Sequence, residues 1–172
     1  MIDIEEALKK SILFEALTES ERKVIADKTE KILVKIDDYI VKEDESSTYI
    51  IILLKGQARA ILHLEDYEML LSTLQPYAII GEITFIDKQP ASADVIAEEP
   101  CFIAKISHTT LKEIMDQSPA IASKLWEGCA KLLALRIRRS NEMMRNYFGI
   151  NKALCSNPDF RNFFSYCYYS PR

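Results

Sequence analysis

The region from residue 31 to residue 106 alternates between short apolar segments of strand length and polar turns. Residues 49–54 are continuously apolar, whereas residues 31–36 and 57–62 alternate with a period of two, which gives a strand one apolar face. Seven or eight short strands separated by turns predict an antiparallel barrel or jelly roll. The expected strands are residues 31–36, 39–41, 48–54, 57–62, 68–74, 92–97 and 101–106, with a further apolar strand ahead of Gly81.

Helical patterns lie on both sides of this region. Residues 4–13 carry apolar side chains at helical spacing, and residues 18–21 form a capping box that starts a second helix. Ser107 can cap a third helix, and Ser118 with Pro119 is a typical helix start. The spacing then stays helical to about Tyr147.

These patterns predict an α+β fold, in which an antiparallel β jelly roll of about eight strands is flanked by N-terminal helices and a long C-terminal helix. A length of 172 residues fits one domain with a sizeable core and a short extension. We expect the domain over residues 1–147, with its long helix at about 119–147, and an aromatic-rich extension over residues 148–172.

The long helix carries two apolar stripes, and a helix that lies on one roll needs only one. The second stripe keeps a strict spacing of four and three residues, so we predict that it pairs with a second copy of the chain. The alternative is that both stripes cover this chain's own roll and tail. The first stripe is Ile121, Leu125, Cys129, Leu132 and Leu135; the second is Trp126, Ala130, Leu133, Ile137, Ser140, Met144 and Tyr147. The predicted dimer contacts are Trp126, Ala130, Leu133, Ile137 and Met144.

A Gly-Glu pair at Gly81 and Glu82 ends an apolar strand, and a proline-containing loop then leads to Ala91-Ser92-Ala93. Glycine lets the backbone turn sharply, and a glutamate offers two acceptors to a pair of sugar hydroxyls. In order and spacing the stretch resembles the phosphate-binding cassette of the cyclic nucleotide-binding domain family. That family follows Gly-Glu, after about eight residues, with Arg-Ser/Thr-Ala. Here Ala91 stands in place of the arginine that would hold the cyclic phosphate.

The resemblance covers about residues 10–147 and implies the same order of N-terminal helices, roll, hinge helix and dimerisation helix. Without the arginine it implies that cyclic AMP and cyclic GMP are not bound in the usual way. Lys88 could supply a point charge, although lysine lacks the bidentate fork of arginine, and Glu82 could instead brace its loop. The residues of the ligand site, if a ligand binds, are Gly81, Glu82, Ile83, Thr84, Lys88, Ala91, Ser92 and Ala93.

Two further departures from the nucleotide-binding activators concern the base and DNA. Near the level where their long helix offers hydroxyls to the base, this chain has Arg136 and Ile137. Residues 148–172 are too few for the winged helix-turn-helix of these activators. A net charge of −4 does not indicate the basic surface that nucleic-acid binding requires. We therefore expect no DNA binding.

Other classes of protein are disfavoured by composition. The four cysteines and two histidines lack the spacing of a zinc site, and no two-histidine-plus-carboxylate set or nucleophile–base pair indicates an enzyme. The acidic N-terminus is unlike a secretory leader, and the longest apolar run, residues 49–54, is too short to cross a membrane. We expect a cytoplasmic protein without catalytic residues, metal or cofactor.

The functional hypothesis is a stand-alone regulatory or sensor module that acts through homodimerisation or contact with another protein. The alternative is a genuine receptor for a cyclic nucleotide, or for another small ligand in the same pocket. The two hypotheses differ at Ala91, because a phosphate that loses its arginine loses much of its binding energy.

Overall fold

The computed structural model describes residues 3–65, 67–150 and 158, with the side chains of 148–150 excluded. The chain divides into two compact units, Met1–Lys131 and Leu132–Arg172. The first unit contains all eight strands, four complete helices and the first part of the long helix. The described helices are α1 (Ile4–Lys10), α2 (Glu19–Ala26), α3 (Glu82–Asp87), α4 (His108–Gln117) and α5 (Pro119–Ile150).

The strands form two antiparallel four-stranded sheets, as the sequence predicts, with orders β1-β8-β3-β6 and β2-β7-β4-β5. The apolar core lies between them and is built from side chains of both, such as Leu53 and Ile103 from one sheet and Ala58 and Val95 from the other. The jelly-roll prediction is confirmed. The strands are β1 (Glu30–Val34), β2 (Tyr39–Val41), β3 (Tyr49–Lys55), β4 (Ala58–His63), β5 (Glu68–Leu74), β6 (Ile79–Ile80), β7 (Asp94–Ala97) and β8 (Cys101–Ser107).

Strand β3 is continuously apolar from Ile50 to Leu54 because both of its faces are covered there. Its residues from Ile50 to Leu54 are all buried. One face contributes to the core between the sheets, and helices α1 and α3 contact the strand as well. A strand covered on two faces cannot alternate between apolar and polar side chains, which explains the continuous run in the sequence.

The N-terminal helix is shorter than the predicted range of residues 4–13. Helix α1 ends at Lys10, and Ser11 adopts an extended conformation after it. The buried Ser11 hydroxyl donates 2.8 Å to the carbonyl of Ala7 and lies 3.1 Å from the carbonyl of Tyr77. The Ala7 carbonyl also accepts from the Ser11 amide at 3.0 Å, so Ser11 closes the helix end with both its amide and its hydroxyl, which a sequence period cannot reveal.

Helix α5 begins at Pro119, as predicted, and extends to Ile150. The first-stripe residues Ile121, Leu125 and Cys129 are buried, whereas Trp126 of the second stripe is 47% exposed. In the part of the chain that the structure describes, none of the helices has the length and apolar character of a membrane span.

Gly128 lets α5 approach the N-terminal segment closely. A Cβ atom at this position would lie 2.3 Å from the carbonyl oxygen of Leu13 and 2.9 Å from its Cα. Both atoms belong to the backbone, so a side-chain rotation cannot relieve the overlap. The approach therefore requires glycine.

Gly128→Ala is expected to destabilise the protein by about 1–3 kcal/mol, because overpacking forces α5 or the segment at Leu13 to move. At an open helix position the same change would stabilise by about 0.5–1 kcal/mol. The free energy of unfolding in urea measures the effect. Ser123→Ala, at an exposed position of the same helix, is the control and should change it by only about 0.5 kcal/mol. A more stable Gly128→Ala variant would contradict the close approach.

Candidate functional site

The Gly-Glu pair lies where β6 passes into the short helix α3. Gly81 has a φ of 89°, in the left-handed region that favours glycine. A Cβ atom there would also meet the carbonyl oxygen of Tyr49 at 2.3 Å, so the start of β3 closes the position from one side. The carbonyl of Gly81 accepts hydrogen bonds from the Phe85 amide at 3.1 Å and from the Thr84 hydroxyl at 2.9 Å. The turn is thus fixed by steric contact and by hydrogen bonds.

The carboxylate-bearing residue Glu82 is inside the protein, with only 1% of its surface exposed. It lies close enough to α5 to act on Cys129: burial raises the pKa of that thiol to about 11, and the charge of Glu82 contributes to the rise. Thr84 is also buried, and Ile83 is half-buried. The structure therefore brings three of the predicted ligand residues together in α3, with Glu82 in the interior beneath α5.

Phe85 connects α3 to the two C-terminal helices. Its ring is 1% exposed and meets the His108 ring edge-on, with 5.2 Å between centroids. On another side it stacks on Trp126, with 5.7 Å between centroids and 27° between planes. Burial lowers the pKa of His108, and the nearby charge of Lys88 lowers it further. Trp126 thus belongs to the second stripe of α5 and also packs against helix α3.

Ala91 occupies the position where an arginine was expected from the family pattern, and an acidic loop pairs with it. Its amide donates to the carbonyl of Glu45 at 3.0 Å, and its carbonyl accepts from the amide of Asp44 at 2.9 Å. Ala91 itself is 5% exposed. The ammonium group of Lys42, in the same loop, lies 3.7 Å from the Glu45 carboxylate. The backbone around position 91 is therefore held by residues whose side chains are mostly anionic.

Lys88 contacts the backbone and the Phe85 ring of α3, and it also lies near Lys112 of α4. It ends the helix in a left-handed conformation with φ 62°, and its amide donates 3.2 Å to the carbonyl of Thr84. Its ammonium group donates to the carbonyl of Phe85 and lies 4.7 Å from that ring's centroid. Burial lowers the pKa of Lys88, and the charge of Lys112 adds to this. Ser92 is exposed and Ala93 half-buried, so the predicted set is divided between a buried helix and a more open loop.

A second group of polar residues next to the cassette was missed from the sequence. Asp94 opens β7 and is 5% exposed, and one of its oxygens lies 2.6 Å from Nε2 of His63. Its other oxygen accepts from the Glu43 amide at 2.6 Å. A cavity of about 370 Å³ lies beside these residues. The available signal was an aspartate in a strand whose remaining residues, Val95 to Ala97, are apolar and buried. The cavity is lined by Tyr39, Lys42, Glu43, Asp44, Glu45, His63 and Asp94.

Neither group has the arrangement of side chains that could hold a metal ion. Over residues 3–65 and 67–150, no three His, Cys, Asp or Glu side chains are arranged so that they could hold a metal ion. Asp94 and Glu43 use their polar atoms on His63 and on backbone amides instead. What the arrangement offers is a buried carboxylate at Glu82, a sharp turn at Gly81 and an acidic loop over Ala91.

Comparison with known proteins gives a consistent family assignment. The family model described as "Cyclic nucleotide-binding domain" matches residues 32–118, slightly more than half of the chain. Among solved structures, a cyclic nucleotide-binding domain from Methylobacillus flagellatus has a TM-score of 0.76 at 23% identity, covering 84% of this chain and 82% of that chain. No curated protein shows a match to the sequence.

Two further structures extend this likeness to longer regulators. The catabolite activator protein of Thermus thermophilus has a TM-score of 0.68 at 22% identity, covering 80% of this chain and 63% of that one. The regulatory domain of Toxoplasma gondii PKA, crystallised with cAMP, has a TM-score of 0.62 at 18% identity, covering 65% of this chain and 43% of that one. At these identities the likeness shows a shared fold.

Proposed function

Because the chain belongs to the cyclic nucleotide-binding domain family, whose members are typically regulatory, we propose that it is a non-catalytic regulatory module that does not bind cyclic AMP or cyclic GMP in the usual way. In this proposal the module acts through homodimerisation or through contact with another protein. The observation that carries it is Ala91, in place of the arginine of the family pattern and paired with the backbone of Asp44 and Glu45.

The charges around position 91 support the loss of phosphate binding. A cyclic phosphate is an anion, and it is held best by a guanidinium that donates two parallel hydrogen bonds. Alanine donates none from its side chain, and Asp44 and Glu45 add two carboxylates at the same loop. An anion placed there would lose its cation and be repelled by its neighbours.

Lys88 is a weak substitute for the arginine in this proposal. Its ammonium group already donates to the carbonyl of Phe85 and sits over that ring. Moving it toward a phosphate would break both contacts. Lysine would then offer only a point charge where a fork is needed.

Dimerisation is supported by the exposure of the second stripe. Trp126 is 47% exposed and Ile137 is 57% exposed, and Leu133 and Met144 are half-buried. Large apolar side chains in a regular stripe are rarely left in water by a monomeric protein. In a two-fold symmetric dimer these side chains would be buried on both subunits, because the same stripe of each copy forms the interface.

The alternative, a receptor for a cyclic nucleotide or another small ligand, is favoured by the cassette residues that remain. Gly81 keeps the left-handed turn, and Glu82 keeps the carboxylate suited to a pair of hydroxyls. A ligand without a phosphate would not need an arginine at position 91.

Titration calorimetry with cyclic AMP and with cyclic GMP tests the proposal. The purified protein is expected to release no measurable heat of binding, or to bind with a dissociation constant weaker than about 10 μM, which corresponds to less than about 7 kcal/mol of binding free energy. A tighter constant would favour the receptor and would require a phosphate partner other than residue 91.

A further inference from the structure

His63 and Asp94 tie three parts of the roll together. His63 is the last residue of β4 and Asp94 the first residue of β7, and Nε2 of the imidazole lies 2.6 Å from Oδ2 of the carboxylate. Asp94 then holds the loop between β2 and β3, because its Oδ1 accepts from the Glu43 amide at 2.6 Å. The Glu43 carboxylate in turn accepts from the His63 amide at 3.3 Å. The hydrogen bonds among His63, Asp94 and Glu43 thus form a closed ring that includes both side chains and backbone amides.

The same loop reaches the cassette. One residue after Glu43, the amide of Asp44 donates to the carbonyl of Ala91, and the amide of Ala91 donates back to Glu45. Asp94 lies three residues after Ala91. The carboxylate of Asp94 therefore holds the loop at Glu43, and the backbone of Ala91 holds it at the next two residues, so a movement of Asp94 displaces the residues that pair with Ala91.

The charge around His63 depends on its proton. From β7 it faces Asp94, from β5 it faces Glu68 with 3.9 Å between Nδ1 and Oε1, and from the β2–β3 loop it faces Glu43. The turn after His63 also carries Glu65. Tyr39, Lys42, Asp44 and Glu45 line the adjoining cavity. Only an imidazolium can donate from both ring nitrogens, toward Asp94 and Glu68 at once.

We propose that His63 and Asp94 form a proton-operated latch, in which protonated His63 holds the Asp94 carboxylate and Asp94 holds the β2–β3 loop over Ala91. When His63 loses its proton to solvent, one ring nitrogen presents a lone pair to a carboxylate and Asp94 loses its counter-charge. A carboxylate that the imidazolium no longer holds in place turns toward water, its hydrogen bond with the Glu43 amide opens, and the loop is released from Ala91. This goes beyond the proposed function, because it supplies an input that does not require a nucleotide.

The sign of the pH dependence follows from the direction of the shift. The hydrogen bond with Asp94 raises the pKa of His63 from its ordinary 6.5, and the charges of Asp94, Glu68 and Glu43 raise it further. A group whose pKa is raised by folding stabilises the folded state fully below its unfolded pKa. The contribution of the latch is therefore complete below about pH 6.5 and is lost as the pH rises through the raised pKa of His63.

Nuclear magnetic resonance of the unmodified protein tests the latch, because the chain has only two histidines to follow. The His63 ring is expected to titrate above 6.5. The amides of Glu43, Asp44 and Ala91 are expected to lose protection from hydrogen exchange with the same midpoint, once the intrinsic pH dependence is removed. A His63 pKa at or below 6.5, or loop exchange that ignores the titration, would overturn the proposal.

Two glutamine variants provide the matched comparison. His63→Gln keeps an amide donor but cannot titrate, so the loss of loop protection with rising pH should disappear. His108→Gln is the control: burial lowers the pKa of His108, so its effect has the opposite sign and lies below pH 6.5. If the pH dependence above 6.5 survives in His63→Gln, or vanishes in His108→Gln, the latch is wrong. The titration of the unmodified protein decides the matter even if a variant fails to fold.

Discussion

The Ile137→Asp variant is expected to be a folded monomer, whereas the unmodified protein is expected to be a homodimer. Ile137 is 57% exposed within one chain, so its removal costs the single subunit little. In a two-fold interface the same side chain is buried twice, at about 1.5–3 kcal/mol each. Losing both, and burying a charge instead, corresponds to at least a ~100-fold weaker dimer.

Sedimentation velocity or light scattering at tens of micromolar distinguishes the two states, and circular dichroism shows whether the variant is folded. Asn146→Asp is the control, because it adds the same charge nine residues further along α5, on the opposite face of an ideal helix. It should remain a dimer. A monomeric unmodified protein would contradict the prediction and would mean that another part of the chain covers the stripe.

Restoring a cation at position 91 is expected to create binding of cyclic nucleotides. A buried arginine–phosphate contact contributes roughly 2–5 kcal/mol, which is about 30-fold to several-thousand-fold in affinity. Gly81 and Glu82 are still present, so Ala91→Arg supplies the missing donor. We expect its dissociation constant for cyclic AMP or cyclic GMP to fall at least ~30-fold below that of the unmodified protein.

Two further substitutions at the same position separate charge from length. Ala91→Lys adds a charge without the fork and should gain less than Ala91→Arg, and Ala91→Gln adds length without charge and should gain nothing. Calorimetry under identical conditions ranks the three. Equal affinity of all three variants would mean that the loss of binding does not originate at residue 91. The acidic Asp44 and Glu45, which pair with Ala91, would then be the next residues to neutralise.

Much of the fold could be predicted because local patterns determine it. A period of two cannot form a helix with one apolar face, so β1 and β4 were recognisable from their spacing, and β3 was recognisable from an apolar run of strand length. Proline at the first helical position has no amide that the helix needs, so the start of α5 at Pro119 was also local information. Strand boundaries and the end of α1 differ from the predicted ones by a few residues, as element ends commonly do. At the end of α1, the Ser11 hydroxyl lies 3.1 Å from the carbonyl of Tyr77, a contact that spacing cannot reveal.

The site depends on contacts between residues far apart in the chain. The resemblance to the family predicted Gly81 and Glu82 as ligand residues and Ala91 in place of an arginine. The sequence could not show that Glu82 is buried near Cys129, because Cys129 follows it by 47 residues. The pairing of His63 with Asp94 was likewise invisible.

By itself, then, the sequence determined the jelly roll and the helix that begins at Pro119, and its resemblance to the family predicted Ala91 in place of the phosphate-binding arginine. The tertiary structure decided which distant residues meet, namely the acidic loop and Ala91, Phe85 and Trp126, and His63 and Asp94. The physical reason is the separation along the chain of the residues that interact. Periodicity and capping act over a few residues, whereas burial and ion pairing depend on which distant segments the sheets bring together.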